Sequence, residues 1–323
     1  MSNPNFDSLV TTTFQNYRSQ LTDNVTGHNA LWWMLKKMPG GIEERDGGRS
    51  IVEPLMIARN STVKSYKGYD ILDMTPQSGF SAAEYDWKQI AGTISISGEE
   101  EFKNSGKSQI INLLKSKAMQ LEMSLELELN RMIQGDGTGT GGKDITGLAL
   151  QVEDGAAWST VGGIDSNANP YWRNQWIGGT AAFSSVGVDR MRTLFNSCSR
   201  GNSRPGIILT DQYLFEAYEK TLTVNERFTN MEMGDAGFQN LLYKGVPITF
   251  DEDMPFEDLA TDEHQILMLN LNFIKFVVGK GRNFAVTPLV KPDNQDAKSS
   301  STILYGNLVC NNRARQGRAT DLT

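Results

Sequence analysis

A helical repeat runs without interruption from residue 107 to 134, KSQIINLLKSKAMQLEMSLELELNRMIQ, in a chain whose flanks read mostly as β-structure. Ile110, Leu114, Ala118, Leu121, Leu125, Leu129 and Met132 recur at steps of three or four, which puts them on one helix face. At ~1.5 Å per residue the rod is about 40 Å long, a spine for other elements to pack on. The stretch from Leu121 to Leu129 also alternates with period two, but it holds no β-branched residue, so propensity favours helix. Gly135 supplies the stop.

The segments before the spine cannot bury themselves. Residues 1 to about 48 are polar except for one aromatic knot, LWWMLKKM, from Leu31 to Met38. Trp32 and Trp33 are expected to dock on the body of their own chain, with anchoring on a neighbouring chain as the alternative. From Ile51 to about Ile96 two extended runs flank a polar, Tyr-rich centre, STVKSYKGYDILDMTPQSGF, which suggests a long β-hairpin. Pro54 confines the first run to an edge or a bulge. Isolated hairpins are marginal in water, so something outside must hold this one, and another subunit is the simplest candidate.

Composition removes most catalytic classes. With only two histidines, His28 and His264, and two widely separated cysteines, Cys198 and Cys310, triads, His-rich metal sites and disulfide frameworks have almost no material. The spelling GTGTGGKD from Gly137 to Asp144 is one residue away from a phosphate-cradling loop. Asp144, however, stands where a hydroxyl would hold magnesium, and the loop follows a helix rather than a strand, so a connector is expected. The formal charge of −7 opposes general attraction to nucleic acid or to an anionic membrane, and no apolar run is long enough to span one. No cofactor, metal or catalytic residue is expected, and the chain reads as cytosolic when made.

At ~150 residues per domain, 323 residues make about two domains. After the short strand candidate ITGLALQV, residues 150 to about 265 read as an α+β unit: a helix from Asp189, the strand Ile207 to Leu209, a cap at Thr210 or Asp211 and a further helix. Asp251 to Glu263 holds seven carboxylates and no base, and is expected to be a solvated loop. Four strand-like runs, ILMLNL, FIKFVV, FAVTPLV and TILYGNLVC, then indicate a substantial sheet. The tail carries Arg313, Arg315 and Arg318, a small basic patch in an acidic chain.

This order resembles the major capsid proteins of tailed bacteriophages, with the Hong Kong 97-type fold. The resemblance rests on GGRSIVEPLMIARNST at the hairpin base, ANPYWRNQW at 168 to 176, RPGIILTDQYLFEAYEKTL, LYKGVPITFDEDMP and TILYGNLVCNNRARQG, which together span most of the chain in order. It implies an α+β fold with an N-terminal arm over 1–48 and an extended loop over 49–92. It also implies a peripheral domain over 93–155 and 278–312 and an axial domain over 156–277 and 313–323. By the same resemblance the chain builds hexamers and pentamers of an icosahedral head around double-stranded DNA. A separate scaffolding protein, a portal and a decoration protein are the implied partners, the virion is the location, and no active site is implied.

Trp32, Trp33, Lys64, Tyr66, Lys67, Tyr69, Arg313, Arg315 and Arg318 are the candidate contacts between subunits. Lys64 and Lys67 lie where some members of the family form a covalent bond to a neighbour, but no local motif marks them for it. Replacing the three tail arginines is expected to weaken assembly while leaving the subunit folded. The rivals are a nucleotide-binding hydrolase using Gly137 to Lys143 and a tail or surface protein that binds carbohydrate through Trp158, Trp172 and Trp176.

Overall fold

The computed structural model describes residues 29–103, 107–156, 158–222, 231–254, 264–291 and 295–322. Its framework is two sheets joined by the spine helix. The first is five-stranded and is organised by the long strand β14 (Ala297–Cys310). Strand β4 (Lys88–Ser97) pairs with β14 from Ala297 to Gly306 along one edge. On the other edge β14 meets β13 (Ala285–Val286) and then β12 (Ile274–Gly279), and β12 is flanked in parallel by β1 (Ile42–Arg45).

The spine helix is Lys107–Gln134, the span that the repeat predicts. Leu125, Leu129 and Met132 of the predicted stripe are buried, together with Ile133. Leu121 and Ala118 are half-buried at the edge of the core, and the side chains of Ile110 and Leu114 lie outside the described part. Gly92 lets β4 lie against this helix: a Cβ there would sit 2.3 Å from Leu121 Cδ1. Two carboxylates that a simple amphipathic reading puts in water, Glu122 and Glu126, are also buried.

The second sheet is six-stranded, in the order β7-β15-β11-β8-β10-β9. Its strands are β7 (Gln175–Ile177), β8 (Ile207–Thr210), β9 (Leu241–Tyr243), β10 (Val246–Phe250), β11 (His264–Leu269) and β15 (Gly317–Leu322). β8 and β11 are central and covered on both faces, which is why they read as continuous apolar runs. Ile207, Leu209, Leu267 and Leu269 point into the core shared with the spine helix and the first sheet. Ile208, Ile266 and Met268 point the other way, under the helices Phe183–Cys198 and Gln212–Thr221. Asp211 caps the second of these helices by accepting from Leu214 N.

Four expectations need correction. The second extended run is two strands: β3 (Phe80–Tyr85) closes the hairpin with β2 (Ile51–Met56), and after Asp86 and Trp87 the chain turns away as β4 into the first sheet. ITGLALQV makes no strand; Leu148–Gln151 is a helical turn under the spine. The four late runs split between the sheets, β11 to the second and β12, β13 and β14 to the first. The tail is no exposed basic patch: after a 3-10 turn at Arg313–Arg315 it runs as β15 between β7 and β11.

Candidate assembly surfaces

The hairpin is anchored at its base by its own chain. β2 alternates buried and exposed, so Ile51, Glu53 and Leu55 face the body while Val52, Pro54 and Met56 face away. With both strands at edges, Pro54 removes no needed ladder donor, as the sequence anticipates. Ile51, Leu55, Ala83 and Tyr85 pack with Val161, Trp172, Val277 and Val309. Tyr85 donates its hydroxyl to Cys310 O at 2.8 Å, and burial pushes that phenol far above its ordinary pKa.

Glu53 is the buried charge of this junction. Its carboxylate meets Arg45 at 2.6 Å and Lys275 at 2.9 Å, and both cations also hold Glu43. Hydrogen bonding to Arg45 is the chief reason that Glu43 titrates below the usual carboxylate range. This network ties β2 to β1 and β12, and it replaces the expectation that an outside partner must hold the whole hairpin. Burial of one carboxylate between two cations has no signature in sequence, where Glu53 is one more acid beside a proline.

Beyond Ile57 the hairpin buries no side chain among the described residues. Val63, Tyr66, Tyr69, Ile71, Leu72, Met74 and Phe80 are all exposed, from 59% at Leu72 to full exposure at Tyr69. Singly exposed apolar residues are ordinary, but this many on one projecting segment mark an interaction surface. Lys64 lies 3.7 Å from Asp73, and Lys67 donates its backbone N–H to Asp70. Lys64, Tyr66, Lys67 and Tyr69 are therefore together on this tip and open to a partner. A second exposed apolar row lies on the outer side of the spine helix, where Met119, Met123 and Leu127 are each more than half exposed at helical spacing.

The remaining candidates divide. Trp32 lies in a helix, Ala30–Lys37, capped by Asn29, and its fully buried ring packs edge-on against Phe276 at 4.7 Å; the docking reading holds and a contact with a neighbour is ruled out. Trp33 is half-buried against Phe238. Arg313 has no exposed surface: it donates to Gln151 O, to Ser166 Oγ and, at 2.6 Å, to Glu153. Arg318 is also buried, and it donates to Val152 O. Neither can reach another subunit, because a guanidinium placed beside inward-facing carbonyls is desolvated and must be satisfied there. Arg315 alone of the three remains at the surface, half-buried.

The residues behind the rival readings are structural. Asp144 is buried and pairs with Arg131 at 2.8 Å, and the Gly-rich loop joins the spine to a helical turn. Trp172 is buried and donates to Val161 O, so the three tryptophans make no open platform. His264 pairs with Asp211 at 2.8 Å and stacks on Tyr213; His28 lies outside the described residues. Of the acidic stretch, 255–263 also lies outside them. Asp251 is buried rather than solvated, accepting from Asn130 and Gln134 at 2.8 Å each. Among the described residues no group of acids, histidines and cysteines could hold a metal ion.

Burial raises the pKa of Asp251 above its ordinary value, with its neighbour Asp253 adding to the effect. Below the unfolded-state value both states carry the proton and the site's contribution is complete; as pH rises through the raised folded value, stability is lost. Urea unfolding of wild type and Asp251→Asn at pH 4.5 and 7.5 is therefore expected to show the difference moving in the wild type's favour at the lower pH. An equal difference at both values contradicts this account.

No protein-family model matches the chain, and no curated protein matches it. Solved structures do. A chain of the cyanophage A-1(L) capsid asymmetric unit superposes with a TM-score of 0.70 at 17% identity, over 90% of this chain and 92% of that one. The capsid of the native GTA particle gives 0.57 at 13% identity over 88% of each chain. The holo-SrpI encapsulin complex of Synechococcus elongatus gives 0.57 at 11% identity over 91% and 88%. The fold is therefore that of viral and virus-like shells, α+β as anticipated. It is the Hong Kong 97-type phage capsid fold, shared with these structures along nearly the whole chain.

Proposed function

We propose that this chain is the major capsid protein of a tailed phage, assembling as hexamers and pentamers of a closed icosahedral head around double-stranded DNA. The observation that carries this reading is the conjunction of a capsid fold over nearly the whole chain with a projecting hairpin whose exposed apolar side chains have no cover among the described residues. In this reading residues 1–48 are the N-terminal arm, 49–92 the extended loop, 93–155 and 278–312 the peripheral domain, and 156–277 and 313–323 the axial domain. The six-stranded sheet supports the last assignment, since all its strands come from those two stretches. The role is structural, without catalysis, and scaffolding, portal and decoration proteins are separate partners in the host cytoplasm. The net charge of −7 suits a shell that encloses DNA without gripping it.

The likeness to an encapsulin complex of Synechococcus elongatus favours one second reading, a shell of cellular rather than phage origin. One preparation separates the two. Expressed with its scaffolding protein, the chain is expected to form closed particles in negative-stain micrographs. Particles purified from its natural source are expected to contain nuclease-protected double-stranded DNA. A compact monomer under all assembly conditions contradicts both readings, and native particles free of nucleic acid favour the second.

A further inference from the structure

At the foot of the hairpin lies an open cleft of about 640 Å³ between β2, the turn at Pro170–Trp172 and the turn at Arg313–Arg315. Three arginines and no acid line it among the described residues, in a chain that is acidic overall. The three are not equivalent. Arg173 is committed to the fold, because it stacks over Trp158 and donates to the carbonyls of Ser166 and Asn167. The side chains of Arg200 and Arg315 make no hydrogen bond, ion pair or ring contact among the described residues. Burial and the nearby positive charge of Arg200 lower the pKa of Arg315, so the two guanidiniums share the cleft at an electrostatic cost that an anion relieves.

Two guanidiniums select the kind of anion. A planar carboxylate carries a single charge and takes one guanidinium fork edge-on, which leaves the second arginine unmatched. A phosphomonoester carries a charge of about −1.5 to −2 at pH 7 on three acceptor oxygens, enough for both forks from different sides. The cleft is also far larger than a bare ion needs and falls within the ~300–1,000 Å³ range of small-molecule sites. Met56, Tyr171 and Phe273 put apolar faces on its walls, and Asn311 and Asn312 add amides that both donate and accept. A ligand that uses all of these has a phosphate at one end and a flat ring with polar edges at the other, which is the chemistry of a nucleotide.

We propose that this cleft binds a mononucleotide, with its phosphate held by Arg200 and Arg315 and its base lying against Tyr171 and Phe273. The walls carry no acid, histidine, serine or cysteine among the described residues, so the site holds the ligand without turning it over. The bound molecule bridges β2, at the base of the hairpin, to the turn that leads into β15. The proposal goes beyond the assembly reading and does not depend on it, since every wall of the cleft belongs to one subunit.

The test is equilibrium dialysis of the full chain against labelled dAMP at constant low ionic strength, with inorganic phosphate, deoxyadenosine and succinate as competitors. Saturable binding of dAMP is expected, with phosphate displacing it at concentrations about tenfold higher and the other two competitors weaker still. Arg200→Gln and Arg315→Gln are each expected to weaken dAMP about tenfold or more, whereas Tyr171→Ala weakens dAMP and leaves the affinity for labelled phosphate unchanged. Circular dichroism checks that each variant is folded, and Arg200→Gln, at an exposed position, carries the test alone if the Arg315 change disturbs folding. No saturable binding at millimolar dAMP, or binding that Arg200→Gln leaves unchanged, overturns the site. Phosphate that binds as tightly as dAMP, or succinate that competes as well as phosphate, overturns the assignment to a nucleotide. A chain that builds normal particles yet takes up no dAMP overturns the cleft site and leaves the assembly reading standing.

Discussion

Replacing residues 59 to 78 with a short Gly-Ser linker leaves a folded subunit and abolishes closed particles. The removed residues supply none of the buried apolar side chains of the subunit, whereas Ile51, Leu55, Ala83, Tyr85 and the Glu53 network, which anchor the hairpin base, remain. Shortening the loop also lowers its closure entropy, by ~0.6 kcal/mol per halving, so thermal unfolding should be unchanged or slightly raised. The matching control is Leu125→Ala or Leu129→Ala on the buried face of the spine, which costs the subunit ~2 to 5 kcal/mol through lost burial and a cavity. Circular dichroism and electron microscopy on the same preparations make the comparison. A linker variant that unfolds, or that still builds normal shells, shows that the tip is not the intersubunit surface.

The second large effect is expected at Arg313. Arg313→Ala strands Glu153, whose carboxylate is almost fully buried, and leaves Gln151 O and Ser166 Oγ without their donor. Breaking a buried pair from one side costs about 3–5 kcal/mol, chiefly because the remaining charge stays desolvated. Chemical denaturation of the isolated subunit should show that loss directly. This reverses the expectation formed from sequence, in which the tail arginines could be replaced without disturbing the fold. A paired replacement, Arg313→Met with Glu153→Gln, should recover much of the stability, since no charge is left buried alone. If Arg313→Ala unfolds with wild-type stability, the pair is not holding the tail to the region around Gln151.

What was legible before the structure follows from how local each signal is. The spine is specified by its own side chains at helical spacing, so its limits are readable from residues 107 to 134 alone. The strands β8 and β11 announce themselves as apolar runs because both their faces are covered. The hairpin is legible as an extended pair around a Tyr-rich centre, and Tyr66, Tyr69, Ile71, Leu72 and Met74 of that centre are exposed. Where β3 ends and β4 begins was not, since both are β-structure and only the choice of partner, β2 or β14, distinguishes them. Asp251 departs from the solvated loop expected of the acidic stretch for a related reason: its hydrogen-bond donors, Asn130 and Gln134, come from more than a hundred residues away.

The tail shows the division most plainly. By itself the sequence determined the elements whose hydrophobic period is complete within one segment, together with a histidine-poor, acidic composition that leaves little for catalysis. Only the tertiary structure decided the fate of Arg313, Arg315 and Arg318, one segment whose arginines divide between interior and surface. Burial of a charge depends on distant carbonyls and carboxylates arriving beside it, at Gln151, Glu153 and Ser166 for Arg313 and at Val152 for Arg318. Arg315 meets no carboxylate among the described residues and stays at the open cleft. Desolvation is a property of the assembled surroundings, and no local pattern of residues encodes it.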